Sequence, residues 1–186
     1  MNEVIKNIEE RRSVRFFSDT PVKEEDIETI LECAKITPSG LNKQTWHFTV
    51  CRDRALMDEI SEANKQKMLA SGNPMEIEKA SEPDYDSFRT AKMAIIISEE
   101  DGIPYANANC ANAATIMTLV ATSLGLGSCY LAGFSNILKA PEGAEFCARL
   151  NIPEGFTPVF AVSLGYTAQQ PKPRKPLREN TVNYIG

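Results

Sequence analysis

Between Asn107 and Leu124 the chain carries Ala108, Ala111, Ala113, Ala114, Met117, Leu119, Val120 and Ala121, which spread around nearly the whole circumference of a helix. A helix that is apolar on all sides has to be enclosed, either by a core or by a second subunit. The rest of the chain must supply that cover. With 186 residues it can bury roughly two-thirds of the surface its unfolded form exposes, enough for one full core and cramped for two. A single domain spanning 1–186 is the expectation.

Candidate elements flank this helix on both sides. Val4, Ile5 and Ile8 among Glu and Lys fit an amphipathic helix entered through Asn2 and fading near Arg12. Ile27, Ile30, Leu31 and Ala34 recur at i, i+3, i+4 and i+7, behind Glu24, Glu25 and Asp26 at the positive helix end, and Pro38 stops the run. Trp46, Phe48 and Val50 alternate with His47, Thr49 and Cys51 as a half-buried strand does, and Asp53 caps a helix holding Leu56, Met57, Ile60 and Ala63. Residues 70–90, with Gly72, Pro74 and Pro83, have weak periodicity and read as a surface excursion or lid. Met93 to Ile97 is a continuous apolar run, the pattern of a strand covered on both faces. Gly125 and Gly127 stop the long helix; Ser128 to Leu131 form a short strand, a helix runs from Pro141 to near Leu150, and Val159 to Leu164 form another strand. That order implies a sheet with helices on both faces. The remaining Thr181 to Ile185 is strand-like and set apart by prolines, a strand on a stiff arm of the kind that pairs with another chain.

Composition removes several functions. Twenty Lys+Arg against 25 Asp+Glu leave a net charge of −5, which argues against a nucleic-acid partner, since phosphate backbones are bound by clustered basic charge. The apolar runs are too short for a membrane span, and the opening Met1-Asn-Glu-Val-Ile-Lys lacks the layout of an export signal. No membrane and a cytoplasmic location are expected. Cys33, Cys51, Cys110, Cys129 and Cys147 are odd in number and 18 to 59 residues apart, neither a disulfide framework nor a metal-ligand pattern, and read as reduced thiols. His47 is the only histidine, so a His-rich zinc site is excluded and a Ser-His-Asp triad would have to run through that one residue. No metal is expected.

Four segments carry candidate chemistry, each with an ordinary structural reading beside it. Arg11-Arg12-Ser13-Val14-Arg15 puts three guanidiniums and a hydroxyl within five residues of an acidic chain; such forks grip phosphate or carboxylate, although cations at a helix C-terminus also satisfy its dipole. In Pro38-Ser39-Gly40-Leu-Asn42-Lys-Gln44 the small residues would let backbone approach a flat ligand and the amides offer donors and acceptors; a plain helix-to-strand connection looks the same. Gly125-Leu-Gly-Ser-Cys-Tyr130-Leu131-Ala132-Gly133-Phe134 is not a dinucleotide fingerprint, because its glycines follow a helix. Gly133 would mark a close backbone approach. Lys172 and Arg174 form a basic pair in what is otherwise a solvated linker. No nucleophile-plus-base pair emerges.

Taken together and in order, these four segments, with Trp46-His47-Phe48, resemble the nitroreductase-like FMN-dependent flavoenzyme family over nearly the whole chain. The resemblance implies an α+β three-layer fold with a central mixed, mostly antiparallel sheet flanked by helices. It also implies a homodimer with a domain-swapped C-terminal tail (168–186) embracing the partner. Implied with it is an oxidoreductase in which NADH or NADPH, through FMN, reduces nitroaromatics, quinones or related small-molecule acceptors by a ping-pong route. Carried over, Arg11, Ser13 and Arg15 hold the FMN phosphate and ribityl chain, with Arg12 near the pyrimidine side or the phosphate. Lys172 and Arg174 complete the phosphate site, while Pro38, Ser39, Gly40 and Asn42 pack on the flavin of the other subunit. Asn64 holds the pyrimidine edge. Tyr130 and Leu131 lead to the backbone of Ala132 and Gly133, which faces flavin N5 and O4. No side chain is implied as catalytic, because the cofactor carries the chemistry. Ala132 departs from the acidic residue many nitroreductases carry, which bears on substrate preference. The Arg-rich run also resembles the subgroup that removes halogen from iodinated tyrosines, whose ordered lid would correspond to 70–90, with Glu76, Lys79 and Tyr85. A flavin store or sensor without turnover is the third reading.

Overall fold

The computed structural model describes residues 2–170 and 173–186. Four strands form one sheet in the order β1-β2-β4-β3, with β1 Trp46–Cys51, β2 Met93–Glu100, β3 Gly127–Leu131 and β4 Phe156–Gly165. All three ladders are antiparallel; a lone parallel bridge joins Ser13 to Ser128. Six helices accompany the sheet: α1 Glu3–Glu10, α2 Glu24–Lys35, α3 Arg54–Leu69, α4 Pro74–Ala80, α5 Ala106–Ser123 and α6 Ala144–Arg149.

The alternation of β2 builds the three layers. Ala94 and Ile96 point to one face and pack with Leu56, Met57 and Ile60 of α3, Phe88 and Phe134. Met93, Ile95 and Ile97 point to the other and meet Ile27, Ile30 and Ala34 of α2 and Cys110, Ala113, Ala114 and Met117 of α5. Ile95, Ile96 and Ile97 are fully buried, each worth about 1.5–3 kcal/mol of transfer free energy. This is the α+β sheet flanked by helices that the sequence implies. The helix ends obey local chemistry as well: Asn2 accepts from the Val4 N–H at 2.8 Å and Asp53 from the Leu56 N–H at 3.0 Å.

The structure adds detail to three expectations. The long helix buries one face, but Ile116, Leu119 and Val120 stay only half covered, and α1 buries none of its residues. The 70–90 segment is largely exposed but anchored, because α4 ends on fully buried Ala80 and the turn after it carries Ser87 and Phe88 into the core. Thr181 to Ile185 forms no strand within the single chain, where Tyr184 and Ile185 are 94 % and 100 % exposed. No described helix is long and apolar enough to cross a membrane.

Candidate functional site

The chain leaving α1 runs alongside β3: the Val14 N–H donates to the Ser128 carbonyl at 2.8 Å, and Ser13 bridges Ser128. Extended backbone sends alternate side chains to opposite sides. Val14 therefore enters the core, while Ser13 and Arg15 stay exposed beside the C-terminal end of β3. There they line a cavity of about 240 Å³ whose wall is Cys129 to Phe134 and whose far side is Lys79, Tyr85 and Arg89. A second cavity of about 390 Å³ adjoins it across Ser13, Arg15, Lys79, Asp86 and Arg89. Four of the expected residues, Tyr130, Leu131, Ala132 and Gly133, thus meet Ser13 and Arg15.

Arg89 is the contributor that the sequence did not single out. Asp86 builds its turn, accepting from the Phe88 and Thr90 N–H groups at 2.7 Å each and from Arg54 Nη2 at 2.8 Å. Arg89 and Thr90 are held at φ 60° and 61°, a left-handed geometry that side chains avoid unless their surroundings impose it. Arg89 Nε is buried without a hydrogen-bond partner among the described residues. The legible trace of this turn was Asp86 itself, whose carboxylate caps its own backbone.

The cavity is electropositive. Arg15, Lys79 and Arg89 make no ion pair among the described residues, whereas the carboxylate of Asp86 is committed to Arg54. The Cys129 thiol feels both influences: burial raises its pKa most, and Arg15, Arg89 and Lys79 draw it down. Burial, with a smaller push from Cys110, raises the Tyr130 hydroxyl to about 12, so it remains a proton donor. Gly133 opens onto empty space, for a Cβ built there meets nothing within 4 Å. The expected close approach at Gly133 is not to another part of the chain.

Other expected residues lie elsewhere. Arg12 Nη1 donates to the carbonyls of Glu9 at 2.7 Å and Arg11 at 3.0 Å, and Arg174 Nη2 reaches the same two at 3.0 and 3.1 Å. Both arginines thus satisfy the end of α1, as the dipole reading expects. Arg174 nevertheless arrives beside Arg11 from 163 residues away. Lys172 lies outside the described residues. Asn64 is fully buried and does not line the cavity; its Nδ2 donates to the Gly133 carbonyl and the Tyr85 hydroxyl, each at 2.9 Å. Pro38, Ser39, Gly40 and Asn42 lead into β1, at the opposite edge of the sheet from β3. Three strand spacings, about 14 Å, separate those edges. Within this loop the ring of Tyr105 demands the glycine, since a Cβ on Gly40 would fall 2.5 Å from Tyr105 Cδ2.

The Nitroreductase family profile matches residues 8–166. A solved nitroreductase with bound FMN from Bacteroides fragilis superposes over 100 % of both chains with TM-score 0.91 at 30 % identity. One from Desulfitobacterium hafniense, also with bound FMN, does so over 100 % of both chains with TM-score 0.90 at 26 % identity. An Archaeoglobus fulgidus protein provisionally assigned as an NADH dehydrogenase/NAD(P)H nitroreductase is 32 % identical over 166 residues, 89 % of this chain and 86 % of that one.

Proposed function

The chain belongs to the nitroreductase family, and from that premise we propose that the electropositive cavity beside β3 holds FMN and makes this protein an NAD(P)H-dependent oxidoreductase. The observation that carries the site is the set Arg15, Lys79 and Arg89, three cations without carboxylate partners among the described residues, around a cavity in which Arg89 Nε is buried and finds no partner among those residues. An anionic, hydrogen-bond-rich group fits that set. FMN supplies hydride acceptance and donation on its ring, so no side-chain acid–base pair is needed. Ser13, which lines the cavity, would hold its phosphate, and the family resemblance assigns Arg11, Arg12, Lys172 and Arg174 to the same basic cluster. Arg15 and Arg89 would face the electron-rich end of the ring system. Gly133, free of side-chain contacts, lets the Ala132–Gly133 backbone lie against the ring. Asn64 acts from behind by holding the Gly133 carbonyl.

The finer reading is that nicotinamide and acceptor occupy the cavity in turn and that acceptors are nitroaromatics or quinones. The site is completed by a second copy. The 38–44 loop is stranded at the far sheet edge, α5 leaves Ile116, Leu119 and Val120 half covered, and the tail offers Val182, Tyr184 and Ile185 to solvent. These features support a homodimer in which the loop of one chain packs on the flavin of the other, within single domains spanning 1–186. Five free cysteines support a reducing, cytoplasmic setting.

The test is direct. Purified protein should release FMN on denaturation, and anaerobic NADH or NADPH should bleach the bound flavin, with colour restored by a nitroaromatic or quinone. Flavin that stays oxidised under either nicotinamide would sink the oxidoreductase and leave a store or sensor. Turnover confined to iodotyrosine would favour reductive dehalogenation. Initial-rate plots should be parallel; intersecting lines with a trapped ternary complex would overturn the alternating order.

A further inference from the structure

Glu99 and Asn109 form a buried polar pair that the chemistry above does not use. Glu99 sits on β2 between Trp46 of β1 and Thr157 of β4, and is 1 % exposed. Its neighbours on that face, Ile95 and Ile97, are apolar and covered by α5, an environment that disfavours a carboxylate unless it is well bonded. Only one oxygen is. Oε2 accepts from Asn109 Nδ2 at 3.0 Å, while Oε1 is buried without a partner among the described residues. Asn109, itself 2 % exposed, turns its other end toward the sheet edge, where Oδ1 accepts the Gly40 N–H at 2.9 Å. One line of hydrogen bonds thus runs from the middle of the sheet, through α5, to the backbone of the 38–44 loop.

The direction of that line is set at its two ends. Glu99 Oε2 is the acceptor at one and the Gly40 N–H the donor at the other, so the amide of Asn109 lies with its NH₂ inward and its oxygen outward. The flipped amide would set oxygen against oxygen at Glu99 and N–H against N–H at Gly40. The loop needs such a restraint, because Leu41, Asn42 and Gln44 lie at φ 54°, 53° and 54°, left-handed values that persist in non-glycine residues only where the surroundings over-determine them.

We propose that Glu99 is the positioning residue of the 38–44 loop: by orienting Asn109 as the acceptor of the Gly40 N–H, it holds the loop in the shape that packs on the flavin of the partner subunit. The inference rests on the shared-site reading above. Glu99 touches neither cofactor nor acceptor.

The test compares Glu99→Leu, Glu99→Gln and Asn109→Leu in the full chain, with two readouts: hydrogen exchange of the Gly40 amide without FMN, and FMN affinity from fluorescence quenching. Glu99→Leu should speed Gly40 exchange by roughly tenfold, as expected for losing the acceptor that orients Asn109, and weaken FMN binding by a similar factor. Glu99→Gln, which keeps an oxygen for Asn109, should stay near wild type in both. If Glu99→Leu fails to fold, Asn109→Leu, which leaves β2 intact, carries the same expectation. Unchanged Gly40 exchange in the Leu variants would overturn the proposal, as would a Gln variant as impaired as Leu. Faster exchange with unaltered FMN affinity would overturn the link to the flavin. A wild-type chain that binds no FMN would instead sink the flavin reading, leaving Gly40 exchange to decide the role of Glu99.

Discussion

Asn64 Nδ2 donates to the Gly133 carbonyl over 2.9 Å, joining residues 69 positions apart, while its Oδ1 accepts the Ile137 N–H at 3.2 Å. One buried amide therefore fixes the turn after β3 from two sides. Asn64→Leu keeps the volume and strands both backbone groups, which should cost about 1–3 kcal/mol each when left unpaired. Urea denaturation of the flavin-free protein checks this. An unchanged midpoint would mean that the turn is held by something else.

Gly133→Ala separates folding from binding. The added methyl meets nothing in the chain, so stability should change by no more than about 0.5 kcal/mol. FMN affinity should fall because the methyl enters the cavity. Equal FMN retention in the Ala variant and wild type would move the ring away from this backbone.

Arg15→Ala should lose FMN far more readily than Lys35→Ala. Lys35 pairs with Glu32 at 2.6 Å with its side chain 53 % exposed, and such pairs contribute little. Arg15 has no carboxylate partner among the described residues, and removing its bond to a charged ligand should cost about 1.5–3 kcal/mol of binding. Isothermal titration with FMN measures both, and similar affinities would return the arginine to a purely structural role.

Burial of Cys110 should make the fold less stable in alkali. Burial first, and then the Glu99 carboxylate, push the Cys110 thiol from 9.0 up to about 12, opposed by Lys139. Between those values the unfolded chain releases the proton and the folded chain keeps it. Stability should therefore fall as pH rises from about 9 toward about 12, with Tyr130 adding a contribution of the same sign. Cys110→Ala should flatten the slope of denaturation midpoint against pH across that window. A slope identical to wild type would show that the thiol ionises alike in both states.

Mixing Arg15→Ala chains with Gly40→Trp chains tests the shared site. If each flavin uses both chains, one site of the mixed dimer inherits both lesions and the other is intact, so binding returns to about half of its sites, as symmetry requires. No recovery on mixing would place each site within one chain.

Periodicity made the layers legible. Ile27, Ile30 and Ala34 announced their burial by spacing, and Met93 to Ile97 announced a strand enclosed on both faces. Such patterns report which side chains leave water. They do not report which carbonyl an arginine finds, and so Arg12 and Arg174, alike in sequence to Arg15, end on the last turn of α1 instead of in the cavity. Arg89 was hidden for a related reason: its conformation is imposed by Asp86 and Arg54, contacts that the local pattern of 70–90 cannot display. Gly40 was legible as a place of close approach, but the partner in the chain proved to be Tyr105.

The single bridge between Ser13 and Ser128 has a meaning for solubility. A sheet's outermost strand presents unpaired N–H and C=O groups to any passing strand, the usual route to fibrils. Here Val14 occupies that row on β3, and the residues on either side of it, Arg12, Ser13 and Arg15, bring charge and polarity to the rim. An incoming chain would have to displace a docked segment and desolvate guanidinium groups. The run thus denies β3 to other sheets, so loosening it should promote aggregation.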